Sequence, residues 1–416
     1  MCRDPGLGKR MHVNKGYKLL QFLNRQHHWL ERCSLALVAW VGVLCSTRSV
    51  TLATGMYRRF RNDQFFTAFR PSARYARQLW RGFDFVEDPF FDFTRDTSTA
   101  ELQALEQEAH RRVRRGGDDA DDALTDLLYI LGAQIHAGIR AGQPVDALVS
   151  AYYQTADQAL ARIGQASPQA SQPKPSGPSR VADFSKQDAV QALSDINRVL
   201  PLDRWPWFVM SGTFLGLHRE GGFLGHDYDI DLGIVAEQID IDQLLAYLQS
   251  QTLFIVKKVD SHVSVDRDAQ GRRYLNSRIS LVKLCHVNGL QIDLFIHHTD
   301  GDCCWHGSLI HRWENSPFEL VRREMEGTEV NAPADADRYL TENYGDWRTP
   351  VTDFDCTTGT PNLAISRNFI SVALFIKRLV YFSRHQPRAA HKLFATLLQG
   401  RVLSGTPGAV RLVIDL

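Results

Sequence analysis

Asp229-Ile230-Asp231 opens an apolar run that continues into Leu232, and no other stretch constrains this chain as strongly. Alternate side chains on a β-strand share a face. Ile230 and Leu232 are therefore expected to point into a core, with Asp229 and Asp231 side by side on the other face. Two carboxylates held that close repel one another unless a cation lies between them. Oxygen-only ligands suit Mg²⁺ or Mn²⁺. The pair predicts a divalent metal site.

Upstream, a second apolar run from Trp205 to Met210 leads into Ser211-Gly212-Thr213 at the start of a predicted helix, and Arg219 follows before the acids. Helix N-terminal N–H groups and guanidinium groups both favour phosphate. Ser211, Gly212 and Thr213 would offer hydroxyl and N–H groups to a phosphate, with Arg219 as a charged clamp. Arg278 and Lys283, on the predicted strand Leu275–Leu284, are further phosphate candidates. Anion site and metal site together describe a phosphoryl-transfer enzyme.

The block SGTFLGLHREGGFLGHDYDIDLG resembles the signature of the LicD/fukutin family, a branch of the polymerase-beta-type nucleotidyltransferase superfamily. Two further blocks match in the same order: GLQIDLFIH, and FELVRREMEGTEVNAPADADRYLTENYGDWRTP. The likeness covers roughly residues 200 to 352. It departs at Gly225-His226, where members often carry Pro-Trp, and at Tyr228, which interrupts a run of acids.

This resemblance implies Asp293 as the third acid, on a strand beside that of Asp229 and Asp231, all three serving as catalytic and metal-binding residues. The run Leu290–Ile296 suits such a strand, because Leu290, Ile292, Leu294 and Ile296 alternate with Gln291, Asp293 and Phe295. It further implies a CDP-alcohol donor, a glycan or polysaccharide acceptor, and transfer of phosphocholine, ribitol phosphate or a similar group with release of CMP. Two alternatives stay open: a nucleotidyltransferase acting on a small molecule, which would release pyrophosphate, and a catalytically silent binding subunit of glycan assembly.

The expected fold class is α+β: a nucleotidyltransferase-like mixed sheet flanked by helices, preceded by a mainly helical N-terminal region. With 416 residues, two domains are expected. Residues 1–164 form the N-terminal region, 165–180 (QASPQASQPKPSGPSR) a linker with nothing apolar to bury, and 181–416 the catalytic domain. Ser185 with Asp188 predicts the cap of the first catalytic-domain helix, and the tail from Ile365 to Leu398 predicts helices that cover the sheet.

The net charge of +1 hides an asymmetry: residues 1–83 hold 15 Lys or Arg against 3 Asp or Glu, interleaved with aromatics. Two readings stand, an ordinary solvated face or attachment to an anionic surface, either peripheral contact with an anionic membrane or a phosphate-bearing polymer. No nucleic-acid-binding motif accompanies these residues. Leu35–Cys45 is little more than half the length of a spanning segment and reads as a buried or interfacial helix. Seven cysteines without a CxxC pair point to a reducing compartment. The expected location is cytoplasmic, at most peripheral to the inner membrane face. Cys303-Cys304 with His306 and His311 fits no common zinc spacing and reads as buried thiols. His218, His226, His297 and His298 are read as hydrogen-bonding partners rather than ligands.

Overall fold

The computed structural model describes residues 99–116, 118–163, 185–225, 229–350, 356–357, 360–406 and 409–416. The basic segment 1–83, the run Leu35–Cys45 and the linker 165–180 lie outside the described residues, as do His226, Asp227 and Tyr228.

Helices α1 (Thr99–Arg115), α2 (Asp118–Arg140) and α3 (Asp146–Ala161) come first among the described elements. The leucines of α2 recur at helical spacing, and Leu124, Leu127, Leu128 and Leu131 are all buried on one another's side of the bundle core. Past residue 184, α4 (Lys186–Val199) starts at Ser185, whose side chain accepts the N–H of Asp188 as the sequence predicts. There follow β1 (Phe208–Val209), α5 (Ser211–Glu220), β2 (Asp229–Val235), α6 (Ile241–Ser250) and a long hairpin of β3 (Phe254–Arg267) with β4 (Arg273–His286). Next come β5 (Gln291–Asp300), β6 (Cys303–Gly307), β7 (His311–Asn315), β8 (Leu320–Met325), β9 (Thr328–Pro333) and α7 (Ala336–Tyr344). The described chain ends in β10 (Leu363–Ile365), α8 (Phe369–His385), α9 (Pro387–Gln399) and the hairpin β11 (Leu403–Thr406) and β12 (Ala409–Leu412).

The fold is α+β around a mixed sheet. Its strands run β10-β7-β6-β5-β2-β1-β9-β8, with β4 also on β5 and β3 on β4. β2 lies parallel to β5 and β1 parallel to β9, and the other described pairings are antiparallel. In β2 and β5 the predicted alternation holds: Ile230, Leu232, Ile234, Ile292, Leu294 and Ile296 are all 0% exposed. Each such side chain contributes about 1.5–3 kcal/mol by leaving water. Side chains of α4, α5, α6 and α7 complete this core.

A second core joins α1, α2 and α3 to α8 and α9, together with Val265, Ile310 and Leu363 of the sheet. The tail helix α8 packs on α2, α9 and α3 and also against Ile310, Leu363 and Ile365 at the edge of the sheet. Tyr152 of α3 donates from its hydroxyl to the Phe369 carbonyl at 2.7 Å. Between α1, α2 and α8, Asp126 pairs with Arg112 at 2.8 Å and with Lys377, all three buried. This core thus includes residues from both sides of the composition boundary at 165–180. No helix among the described residues is long and apolar enough to cross a membrane.

Candidate active site

The site is built where β1 hands over to α5 beside β2. β1 pairs antiparallel with β2, Val209 opposite Leu232, so the chain leaves β1 alongside Asp231. The Met210 N–H donates to the Asp231 carbonyl at 3.1 Å. The Asp231 N–H donates to Thr213 Oγ1 at 2.9 Å. Both backbone groups of Asp231 are thereby fixed from the turn that starts α5. Ser211, the first residue of α5, holds φ 47°, the left-handed region that costs a residue with a Cβ on the order of 1 kcal/mol or more. Such strain persists where the surroundings over-determine it, and here the Met210 and Thr213 contacts do so.

Gly233 explains how β2 packs so closely. A Cβ there would lie 2.3 Å from Phe208 Cζ and 2.8 Å from His297 Cε1. Only glycine admits the Phe208 ring over the strand two residues past Asp231.

Register completes the arrangement. β2 and β5 pair in parallel with Asp231 opposite Asp293. One carboxylate oxygen from each of Asp229, Asp231 and Asp293 lies within 4.8 Å of the others, the one such His/Cys/Asp/Glu group among the described residues. Three hard oxygen ligands at that spacing fit a divalent cation such as Mg²⁺ or Mn²⁺, and imidazole or thiolate contributes nothing to the set. Asp293 is 8% exposed; Asp229 and Asp231 are half-buried.

The row extends across two more strands. Lys283 of β4 stands opposite Asp293, and Lys258 of β3 opposite Lys283. Directly paired residues share a face, so Asp231, Asp293, Lys283 and Lys258 line up on one side of the sheet, two acids followed by two bases. Lys283 Nζ lies 2.5 Å from Asp293 Oδ2, and Lys258 Nζ 2.9 Å from Asp260 Oδ1. Burial pulls the Lys283 ammonium down, but Asp293, Asp229 and Asp260 outweigh it and hold the group above the ordinary lysine value.

The predicted phosphate candidates divide. Ser211 and Gly212 are half-buried at the start of α5 beside the acids. Thr213 is wholly buried, and its oxygen receives the Asp231 N–H. Arg219 sits in the last turn of α5, about 9 Å along the helix axis from Thr213. Lys283 is brought to the acids. Arg278 is not: it lies five residues earlier on β4, bonded to Asp300 at 3.3 Å. Lys258 and Asp260 are additions from the structure, and their positions follow from strand pairing alone.

Among the described residues no histidine joins the acid cluster. His297 is fully buried with its ring tilted against those of Phe208 and His306, and His298 bonds the Ile279 carbonyl at 2.9 Å. His218 packs edge-on against Trp347, whose indole N–H donates to Asp337 at 3.1 Å. Cys304 is buried, and burial pushes its thiol up to about 12.

Two strands in parallel register with three converging acids, entered from a strand–turn–helix, carry the same segment that matches a known family. Residues 204–335 match the family model described as LicD/FKTN/FKRP, nucleotidyltransferase domain. Among curated proteins it is similar to the ribitol-5-phosphate transferase FKTN of Mus musculus, 25% identical over 165 residues, or 38% of this chain and 32% of that protein. The Homo sapiens FKTN is 24% identical over the same length, again 38% of this chain and 32% of the relative. The matched segment is therefore about a third of either relative's length.

Proposed function

We propose that this chain is a divalent-metal-dependent phosphotransferase that moves a phospho-alcohol, such as ribitol phosphate or phosphocholine, from a CDP-activated donor to a hydroxyl of a glycan, releasing CMP. The observation that carries the reading is the convergence of Asp229, Asp231 and Asp293 within 4.8 Å on two parallel strands inside the family-matched segment. Similarity to ribitol-5-phosphate transferases supports the substrate class.

The three carboxylates would hold the cation, which when bound supplies positive charge to donor phosphate oxygens. Phosphoryl transfer asks chiefly for positioning and charge stabilisation. The Ser211 hydroxyl and the N–H groups at the start of α5 are placed to orient a phosphate. Lys283 can exchange its contact with Asp293 for a phosphate oxygen, since its side chain is 40% exposed. Asp293, freed of that ammonium, is the group placed to accept a proton from the attacking hydroxyl.

Incubation with CDP-ribitol, CDP-choline and CDP-glycerol in Mg²⁺, with a glycan acceptor, tests the reading. Acceptor-dependent CMP is expected from at least one donor. Pyrophosphate from a nucleoside triphosphate, with no CMP from any of the three, would assign the site to nucleotidyl transfer.

A further inference from the structure

Away from the acids, a cleft of about 660 Å³ opens between the β3–β4 hairpin, β6, β7 and the C-terminal segment. Such a volume falls in the range of small-ligand sites, roughly 300–1,000 Å³. The cleft is not a continuation of the candidate active site. Asp300 in its wall is seven residues past Asp293 on the same strand, about 23 Å away at strand rise, and has opposite parity. Arg278 and Lys283 are likewise separated along β4 by five residues, roughly 15 Å at strand rise.

The chemistry of the walls is specific. The charged side chains lining the cleft are three arginines, Arg278, Arg312 and Arg367, and three acids, Asp266, Asp300 and Glu314. Their charges balance, which removes the attraction an anionic ligand would need. The groups are also held in place by each other. Asp300 takes Arg278 on one oxygen at 3.3 Å and Arg312 on the other at 3.1 Å, while Arg312 Nε reaches Glu314 at 2.7 Å. Asn276 bonds Asp266 at 2.9 Å. The result is a fixed array alternating acceptor and donor groups, the pattern that matches neighbouring hydroxyls, each of which donates and accepts. Two further lining residues carry buried polar atoms without a hydrogen-bond partner, Trp305 Nε1 and Asn362 Oδ1. One is a donor and the other an acceptor.

We propose that this cleft is a carbohydrate-binding site for neutral sugar units, which anchors the acceptor glycan at a distance from the reacting hydroxyl. Its assignment to the acceptor rests on the transferase reading. Anchoring a polymer at a second point raises the effective concentration of its reacting end without adding contacts at the acids.

The test is retention of the full chain carrying Asp231→Asn on immobilised neutral glucan, mannan and N-acetylhexosamine oligosaccharides, with heparin as the anionic comparison. Retention on at least one neutral glycan is expected, falling at least tenfold with Asp266→Asn plus Asn276→Ala. Gln399→Trp fills the mouth of the cleft from the exposed end of α9. It leaves the polar array untouched and should reduce retention equally, which covers misfolding of the first variant. Retention on heparin alone, on nothing, or at full strength in both variants would overturn the proposal. Because binding is read without turnover, its failure is separate from a failure to release CMP.

Discussion

Asp231 and Asp293 stand directly opposite one another on the parallel strands β2 and β5, and Lys283 stands opposite Asp293 on the far side. A like-charged pair and an opposite-charged pair thus share one carboxylate. That geometry favours a cation beside Asp231 and allows an ammonium to occupy part of its place. Replacing Asp231 or Asp229 by Asn removes one charged ligand while preserving shape. CMP release should fall about a thousandfold or more, several kcal/mol in the barrier, with the thermal midpoint little changed. Retained turnover in EDTA would sink the metal mechanism.

Thr213 supports Asp231 from beneath. Its oxygen receives the Asp231 N–H, and Thr213→Val strips that acceptor from a wholly buried site. An orphaned backbone donor costs about 1–3 kcal/mol, so Thr213→Val should be measurably less stable in urea than Thr213→Ser, which keeps the oxygen. Equal midpoints for the two would show that the hydroxyl is not needed there.

Lys283 is expected to act as a competitor of the cation. With Lys283→Met the ammonium beside Asp293 Oδ2 is gone, and Mn²⁺ affinity of the donor-free protein should rise severalfold, read by calorimetric titration. CMP release should fall in the same variant, because the charge meant for phosphate is also lost. Weaker Mn²⁺ binding by the variant would mean that Lys283 orients Asp293 rather than competing for it.

How much of this could be read in advance differs residue by residue. The alternation around Ile230 was enough to place Asp229 and Asp231 on one face, and the alternation from Leu290 to Ile296 did the same for Asp293. For Arg278 and Lys283 periodicity misleads, since five residues apart reads as opposite faces while the extra residue Ser280 returns both to one face, and distance along β4 is what keeps Arg278 from the acids. Lys258 and Asp260 were not legible. The β3–β4 register shifts between Val256 and Lys258 and again between Asp260 and Ser261, which breaks the parity a reader would extrapolate. The tail shows a related limit: an apolar stripe says that α8 is buried, and only tertiary packing says that α2 covers it together with the sheet edge.

Acid should weaken the fold through His297. Burial, helped by neighbouring His298 and opposed by the Phe295 carbonyl, lowers this imidazole to about 3 from an ordinary 6.5. Below pH 6.5 the unfolded chain takes up a proton that the folded chain refuses. Stability is therefore fully present above 6.5 and declines by about 1.4 kcal/mol per pH unit down to about 3, where the folded state titrates too. His297→Phe removes this contribution, so its urea midpoint should fall less steeply between pH 6.5 and 4 than that of the parent. Parallel slopes would assign the acid sensitivity elsewhere.

The buried trio of Arg112, Asp126 and Lys377 supplies the last expectation. Asp126 is 0% exposed, and burial pushes its carboxyl up against the opposing pull of Lys377 and Arg112. Removing one base leaves a buried carboxylate with less compensation, and breaking such a pair typically costs about 3–5 kcal/mol. Lys377→Met should therefore destabilise the junction of α2 and α8 strongly. Changing Asp126→Asn at the same time removes the uncompensated charge and should recover part of the loss. Urea unfolding of the parent, the two single variants and the double variant forms a cycle that isolates the coupling. The expected coupling is at least about 1 kcal/mol, since residues in one buried network interact within the range of roughly 0.5–3 kcal/mol. A sum of the single effects equal to the double effect would mean that Lys377 stabilises α8 through its methylene packing alone.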